Sequence, residues 1–334
     1  IIMKIYSFIL LFFTCSLMYS QDPVFTQTFL VPETISSSFT GATQGTKLGV
    51  LHRSQWTNFG IKVNTNYAYF DTWNEGLRSG IGVSILNHSE SESKYTFNQI
   101  NLNYALAIQV NDSWYFRPSI SLGLGMKDFG FQNLLLEDQI NVNTGAINTG
   151  SIDPIMLNES RTFFDFSSSI LFNNQHSWFG LTVKHLNKPN ISMTEGGEQP
   201  LNIFLSAHAN IEFPLFRYVN SRFSDKNSLY FLANYMMQSK YNRLDLGSQY
   251  VYDNKFTIGL LFATNPMKNQ YESHYLTSLN VYGGIKWEGL KLGYSYDMNT
   301  SKIGPTGGVH EVSLTYDFSV NMRFINRYKC VRYF

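Results

Sequence analysis

The sequence predicts an all-β fold, a transmembrane antiparallel β-barrel of about 14 strands. Three observations predict it: long runs of strict two-residue alternation, many aromatic and few charged side chains, and an apolar leader ahead of a chain with no helix-length apolar stretch. Aromatic residues make up 16% of the 334-residue chain and charged residues 15%, where soluble globular proteins carry about a quarter charged. A surface so poor in charge suits lipid better than water.

Alternation is the strongest of the three. Ile100, Leu102, Tyr104, Leu106, Ile108 and Val110 alternate with Asn101, Asn103, Ala105, Ala107 and Gln109. Successive side chains on a strand point to opposite faces, so one face is apolar and the other small or polar. Ile203, Leu205, Ala207, Ala209, Ile211 and Phe213 stand in the same way against Asn202, Ser206, His208, Asn210 and Glu212, and Val312, Leu314, Tyr316 and Phe318 against Glu311, Ser313, Thr315 and Asp317. These runs match the roughly 9 to 11 residues of a tilted membrane-crossing strand. A soluble sandwich also alternates, but its polar face meets bulk water and is usually rich in Lys and Glu. Here that face is mostly Asn, Ser, Thr, Gly and Gln, as in a confined barrel interior.

Period-two runs begin near Lys47, Lys62, Leu77, Thr96, Trp114, Thr162, Ser177, Leu201, Ser228, Arg243, Lys255, Leu276, Leu290 and His310. With the N-terminus periplasmic, even connections are expected to be short turns, among them Asn111-Asp112, Asn173-Asn174-Gln175-His176, Asp253-Asn254 and Trp287-Glu288-Gly289. Odd ones are expected to be the longer surface loops, at Gly130 to Arg161, Asn187 to Pro200, Asn265 to Tyr275 and Met298 to Gly308. Two connections break the parity, a short one after Trp56 and a long one from Pro214 to Asn227. Trp73, Trp114, Trp178 and Trp287 all fall at even turns, which places them on one headgroup-level rim.

At the N-terminus, Lys4 precedes the apolar stretch Ile5 to Phe13 and then small and polar residues to Ser20, the layout of a secretory signal peptide. The expected division is a signal peptide over residues 1–20, cleaved before Gln21, and a barrel over 21–334 with an N-terminal segment 21–45 and a C-terminal tail 320–334. Cys15 follows the apolar stretch, but Phe13-Thr14 lacks the small residue a lipoprotein signal places before its cysteine. A mature chain would keep one thiol, Cys330, so its fold stands without an internal disulfide. It would also carry 24 basic and 24 acidic residues; with no basic cluster to neutralise phosphates, nucleic acid is not an expected partner.

No motif for catalysis, phosphate binding or paired-Cys metal ligation is present, so neither enzymatic activity nor a cofactor or metal is expected. The seven histidines are scattered singly. His208 and His310 are placed where a barrel hydrolase would use a histidine, and both read more simply as lumen or loop histidines satisfied by hydrogen bonds. Asp297, Asp317, Lys291 and Glu311 share one inward face on neighbouring strands and read as a structural charge network. The polar loop from Gly130 to Arg161, with its apolar run Leu134 to Leu136, is long enough to be a partner site.

The opening Gln21-Asp22-Pro23-Val24-Phe25-Thr26-Gln27, with Pro32 and then Phe39-Thr40-Gly41, resembles the start of the PorP/SprF family of type IX secretion system membrane proteins. Arg53-Ser54-Gln55-Trp56, Gly180-Leu181 with His185-Leu186 and Pro189-Asn190, Gly307-Gly308-Val309-His310-Glu311, and the ending Lys329-Cys330-Val331-Arg332-Tyr333-Phe334 resemble the family in the same order. The chain departs from it at Ser36-Ser37-Ser38, where an Asn-Pro-Ala is usual, and at Val331, where Pro is common. The resemblance implies a non-enzymatic outer-membrane component of the Bacteroidota type IX secretion and gliding machinery, supporting secretion or surface anchoring of a large adhesin. Implied partners are outer-membrane lipid, that secreted adhesin and other type IX components. The candidate contact residues are Asp22, Pro23, Phe25, Gln27, Phe39, Gly41, Arg53, Gln55, Trp56, Gly307, Gly308, His310, Glu311, Cys330, Arg332 and Phe334. Both terminal motifs are expected to face the periplasm, docking there or plugging the barrel. A diffusion channel for small solutes is the alternative reading.

Overall fold

The computed structural model describes residues 22–318 except 59, 131–138, 142–143, 145, 149–159, 194–195, 216–226, 268–275 and 301–305. The expectations for the signal peptide, for Leu134 to Leu136, for the tail 320–334 and for Cys330, Arg332 and Phe334 lie outside the described residues.

Antiparallel strands follow one another around a ring: β1 (Thr46–Gln55), β2 (Val63–Asn74), β3 (Ser79–Glu90), β4 (Tyr95–Leu106), β5 (Ile108–Gln109), β6 (Tyr115–Phe129), β7 (Ser160–Asn173), β8 (Ser177–Lys184), β9 (Phe204–Pro214), β10 (Ser228–Gln238), β11 (Tyr241–Tyr252), β12 (Phe256–Thr264), β13 (Leu276–Trp287), β14 (Leu290–Asn299) and β15 (Val309–Asp317). Nearly every strand pairs with its sequence neighbour, and the first and last close the ring through Lys47↔Asp317 to Gln55↔Val309. The two-residue β5 continues β4 past Ala107, and both pair with β6. Their common register sets Leu106 opposite Pro118, which has no N–H to give, and the strand is interrupted there. The wall therefore has 14 staves.

Burial runs opposite to that of a water-soluble protein. Leu102 is 62% exposed, and Ile100 on the same strand and Ile120, Leu124, Phe231, Ile258 and Leu314 on other staves are similarly open, whereas Asp71, Asp165, Asn280 and Glu311 are buried. An exterior made mainly of large apolar side chains is stable against hydrocarbon rather than water, and ring closure pairs the strand edges that lipid would leave unsatisfied. No helix among the described residues is long and apolar enough to cross a membrane, so the crossing is made by strands.

Short turns gather at one end, with Glu75 to Arg78, Asn111 to Ser113, Asn174 to His176 and Glu288-Gly289. The loops after β6, β8, β12 and β14 gather at the other, as the parity predicts. Ser91 to Lys94 and Ser239-Lys240 add short connections at that long-loop end. The expected tryptophan rim is only half present. Trp287 is 75% exposed on the outside, and Trp114 stacks there on Phe179. Trp178 is 3% exposed and faces the lumen, and the Trp73 ring lies inside against Arg117. Their even-turn position was read correctly, but strand parity turns their rings inward.

Candidate functional site

The lumen is not empty. Residues 22–45, expected to dock at the periplasmic mouth or to plug the barrel, run through it, entering the described chain near the long-loop end at Asp22 and reaching β1 at the short-turn end. Phe25, Phe29, Val31, Ile35 and Phe39 are all buried, with Val31 and Phe39 fully enclosed. A segment inside a closed ring cannot use the strand ladders, so its backbone groups must find local or side-chain partners. It turns on itself at Gln27, whose carbonyl accepts from Leu30 and Val31 N–H at 3.0 and 2.9 Å. Two 3₁₀ turns follow, Pro32–Thr34 with proline at a first-turn position and Ser37–Phe39 capped by the Ser36 hydroxyl.

The upper part of this plug is held by charge. Glu311 on β15 accepts from Thr26 N–H at 2.9 Å and from Gln27 N–H at 3.0 Å, and it pairs with the Arg53 guanidinium from β1. Arg53 also reaches Asp297 on β14 at 3.4 Å, and Thr26 Oγ1 donates to Asp297 at 2.6 Å. Gln27 finishes the knot by donating to the Glu311 carbonyl at 2.9 Å and accepting from Ser313 Oγ at 2.6 Å. The bonds to the Glu311 and Asp297 carboxylates are charge-assisted and enclosed, which makes them strong while intact and costly to break on one side.

At the top, Asp22 sits 2.9 Å from His185 Nε2, and the other ring nitrogen lies 2.9 Å from Asp165. His185 follows β8 directly, with a left-handed φ of 61° that a non-glycine residue adopts only when its surroundings hold it. Burial disfavours the charged ring, but Asp22 and Asp165 outweigh it and push the imidazole up to about 9. Burial likewise resists the Asp22 carboxylate, and the His185 charge overcomes it, leaving the carboxyl below its ordinary range.

The lower part is held by close packing and serine contacts. Ser38 Oγ and Ser119 Oγ are 2.8 Å apart, Arg117 donates to the Ser38 and Thr40 carbonyls at 3.1 and 2.9 Å, and Gly41 N–H reaches Asp71 at 2.9 Å. Gly41 has a φ of 63° and passes so near Gly80 that a Cβ on either residue would overlap the other segment's backbone. Phe39 packs edge-on against Trp178 at 5.0 Å, and midway the Phe29 ring lies 4.0 Å from Tyr282.

The structure thus brings together motifs that lie far apart in the sequence. Gln27, Arg53 and Glu311 share one knot, while Phe25, Phe39 and Gly41 belong to the packed plug. Asp22, Pro23, Arg53, Gln55 and Trp56 border a cup of about 600 Å³ above it. Gly307 and Gly308 shape the entry to β15, both at positive φ. His310 does not join them. It turns outward and bonds Tyr294 Oη at 2.9 Å, so it is neither a lumen nor a loop histidine. The charge network expected at Asp297 and Glu311 is present, and its missing member was Arg53. Asp22 with His185 and Asp165, and Arg117 with the plug carbonyls, went unseen in the sequence, because only the fold joins residues so far apart.

His208 is enclosed beside Phe39 and Trp178, with Ser206 Oγ 3.3 Å from its Nδ1. Neither Ser206 nor His208 bonds a carboxylate among the described residues. Nor is any group of three or more His, Cys, Asp and Glu placed among them to hold a metal ion.

An apolar-walled ring around a buried N-terminal segment defines a plugged outer-membrane β-barrel. The chain belongs to the type IX secretion system membrane protein PorP/SprF family, whose profile matches residues 17–316. No curated protein matches it. Among solved structures it is similar to the Acinetobacter baumannii outer membrane protein Omp33, with 7% identity, 83% of this chain and 100% of that one covered, and a TM-score of 0.43. It is also similar to the CymD monoaromatic hydrocarbon channel, with 13% identity, 90% and 95% covered and a TM-score of 0.47. A third is the P. putida toluene transporter TodX, with 8% identity, 85% and 93% covered and a TM-score of 0.47.

Proposed function

We propose that this chain is a non-enzymatic component of the type IX secretion system that supports secretion or surface anchoring of a large adhesin-type protein. The carrying observation is the occupied lumen. With residues 22–45 threaded through the ring, the surfaces open to a partner are the loop end, with its cup, and the short-turn end. In a bacterial barrel the longer loops face outward, which assigns the cup and the loops to the secreted protein and the short-turn end to the other secretion components. Within this reading Asp22, Pro23, Gln55 and Trp56 face the partner side, and Gln27, Phe39, Gly41, Arg53 and Glu311 keep the plug seated.

Deleting the gene and comparing surface proteins tests the reading. It predicts that one large surface protein is lost or shed while the cells keep the rest, and that this protein co-purifies with the membrane-extracted barrel. Unchanged display of every type IX substrate would overturn it. The diffusion-channel alternative requires the plug to leave, so steady conductance of the intact protein in planar bilayers would favour it.

A further inference from the structure

The cup above the plug has its own chemistry. Its volume of about 600 Å³ falls within the range of roughly 300–1,000 Å³ typical of sites for small ligands. One side is apolar and aromatic, formed by Tyr95, Phe97, Phe129, Ile191, Met193 and Leu201. Three cations also border it, Arg53, Lys127 and Arg243, against two carboxylates, Asp22 and Glu90. Asp22 is committed to His185, and Glu90 accepts from Ser93 at 2.7 Å.

Arg243 differs from the other two cations. It is 9% exposed and gives its Nε to Asp245 at 2.6 Å, while its Nη2, also buried, meets no acceptor among the described residues. A buried donor without an acceptor is unfavourable, and a guanidinium fork is shaped to take a carboxylate through two parallel bonds. Lys127 lies 5.6 Å from the Phe97 ring centre, so positive charge and aromatic surface meet on the same side of the cup.

We infer that this cup is a binding site for a carboxylate borne on an apolar or aromatic body, with Arg243 receiving the carboxylate and the Phe97 side receiving the body. The site goes beyond the anchoring role and does not depend on it. Two sources share this chemistry, the C-terminal end of a polypeptide and a free amphiphilic acid.

Acetyl-Gly-Leu-Phe and 4-phenylbutyrate, each beside its amide, would be titrated into the full-length protein in lipid nanodiscs, with empty nanodiscs subtracted. At least one acid is expected to bind saturably, about tenfold or more tighter than its amide. Arg243→Gln is expected to remove that margin and Arg243→Lys to keep part of it, with barrel folding of each variant checked by heat-modifiable gel mobility. In the unmutated protein the acid alone is expected to shift the fluorescence of Trp56, which borders the cup. Tighter binding of the peptide identifies a chain end as the source, and tighter binding of phenylbutyrate a free acid. Equal binding of acid and amide, no saturable binding of either acid, or a margin unchanged in folded Arg243→Gln would overturn the site.

Discussion

The wall and the plug are built from the same residue types and obey opposite rules. In the wall, Ile100, Leu124 and Leu314 lie open while the polar residues between them are enclosed. In the plug, Phe25, Phe29, Val31 and Phe39 are enclosed together with Thr26, Gln27 and Ser38. The wall is organised by a repeat and by lipid, so a residue's position in the alternation decides its environment. The plug has no repeat; each residue's environment is decided by which wall residue it happens to reach. A regular pattern therefore makes the container, and specific long-range bonds set what fills it.

Removing the plug should break this contrast most. A chain lacking residues 22–43 but keeping residues 1–21 is expected to form the same ring, with the gel mobility of a folded barrel, and to pass steady current in planar bilayers where the intact protein is silent. Equal currents from both would mean that the segment does not block the lumen.

Next in size is Arg53→Ala, which leaves Glu311 and Asp297 enclosed without their cation. Breaking a buried pair on one side costs about 3–5 kcal/mol, to be read from denaturant unfolding in lipid vesicles. A loss below about 1 kcal/mol, the size of an ordinary substitution, would show that Arg53 is not the centre of the knot. A charge on the lipid face, Leu102→Lys, should cost about 2–4 kcal/mol near the bilayer midplane. The same change at Asn103, one residue along and inward, should cost less, and equal costs would contradict the face assignment.

Much of the wall was legible because alternation is local. Strand starts at Lys47, Thr96, Ser177, Ser228 and Leu290 lie within one residue of the observed ones, and the buried polar and exposed apolar faces fell as read. The tryptophans show the limit of that reading. A turn position sets height along the barrel, but the parity of one residue decides whether a ring such as Trp178 meets lipid or Phe39. The plug was only partly legible. Its motif residues stood out by resemblance, yet Thr26 meets Glu311 across 285 positions of sequence, and no local signal encodes that contact.

The smallest expected effect is a pH-dependent loosening of the plug's upper end. The His185 imidazole is raised from 6.5 to about 9 in the folded protein. Its contribution is therefore complete below about 6.5 and is lost as pH rises through about 9. Asp22 is depressed, so its share is present above the ordinary carboxylate range and lost as pH falls below it. Hydrogen exchange of residues 22–31 should then be slowest between about pH 5 and 6.5 and faster on both sides once intrinsic rates are divided out. A flat profile, or one also seen in His185→Gln, would remove the latch from the account.

The central claim, that the N-terminal segment lies inside the ring, is tested most directly by cross-linking. Ser38 and Ser119 have hydroxyls 2.8 Å apart, one on the plug and one on the inner wall. In a Cys330→Ser background, Ser38→Cys with Ser119→Cys is expected to form a disulfide nearly completely under mild oxidation in membranes, and neither thiol should take up a bulky maleimide beforehand. Two free thiols, both labelled from solution, would contradict a filled barrel.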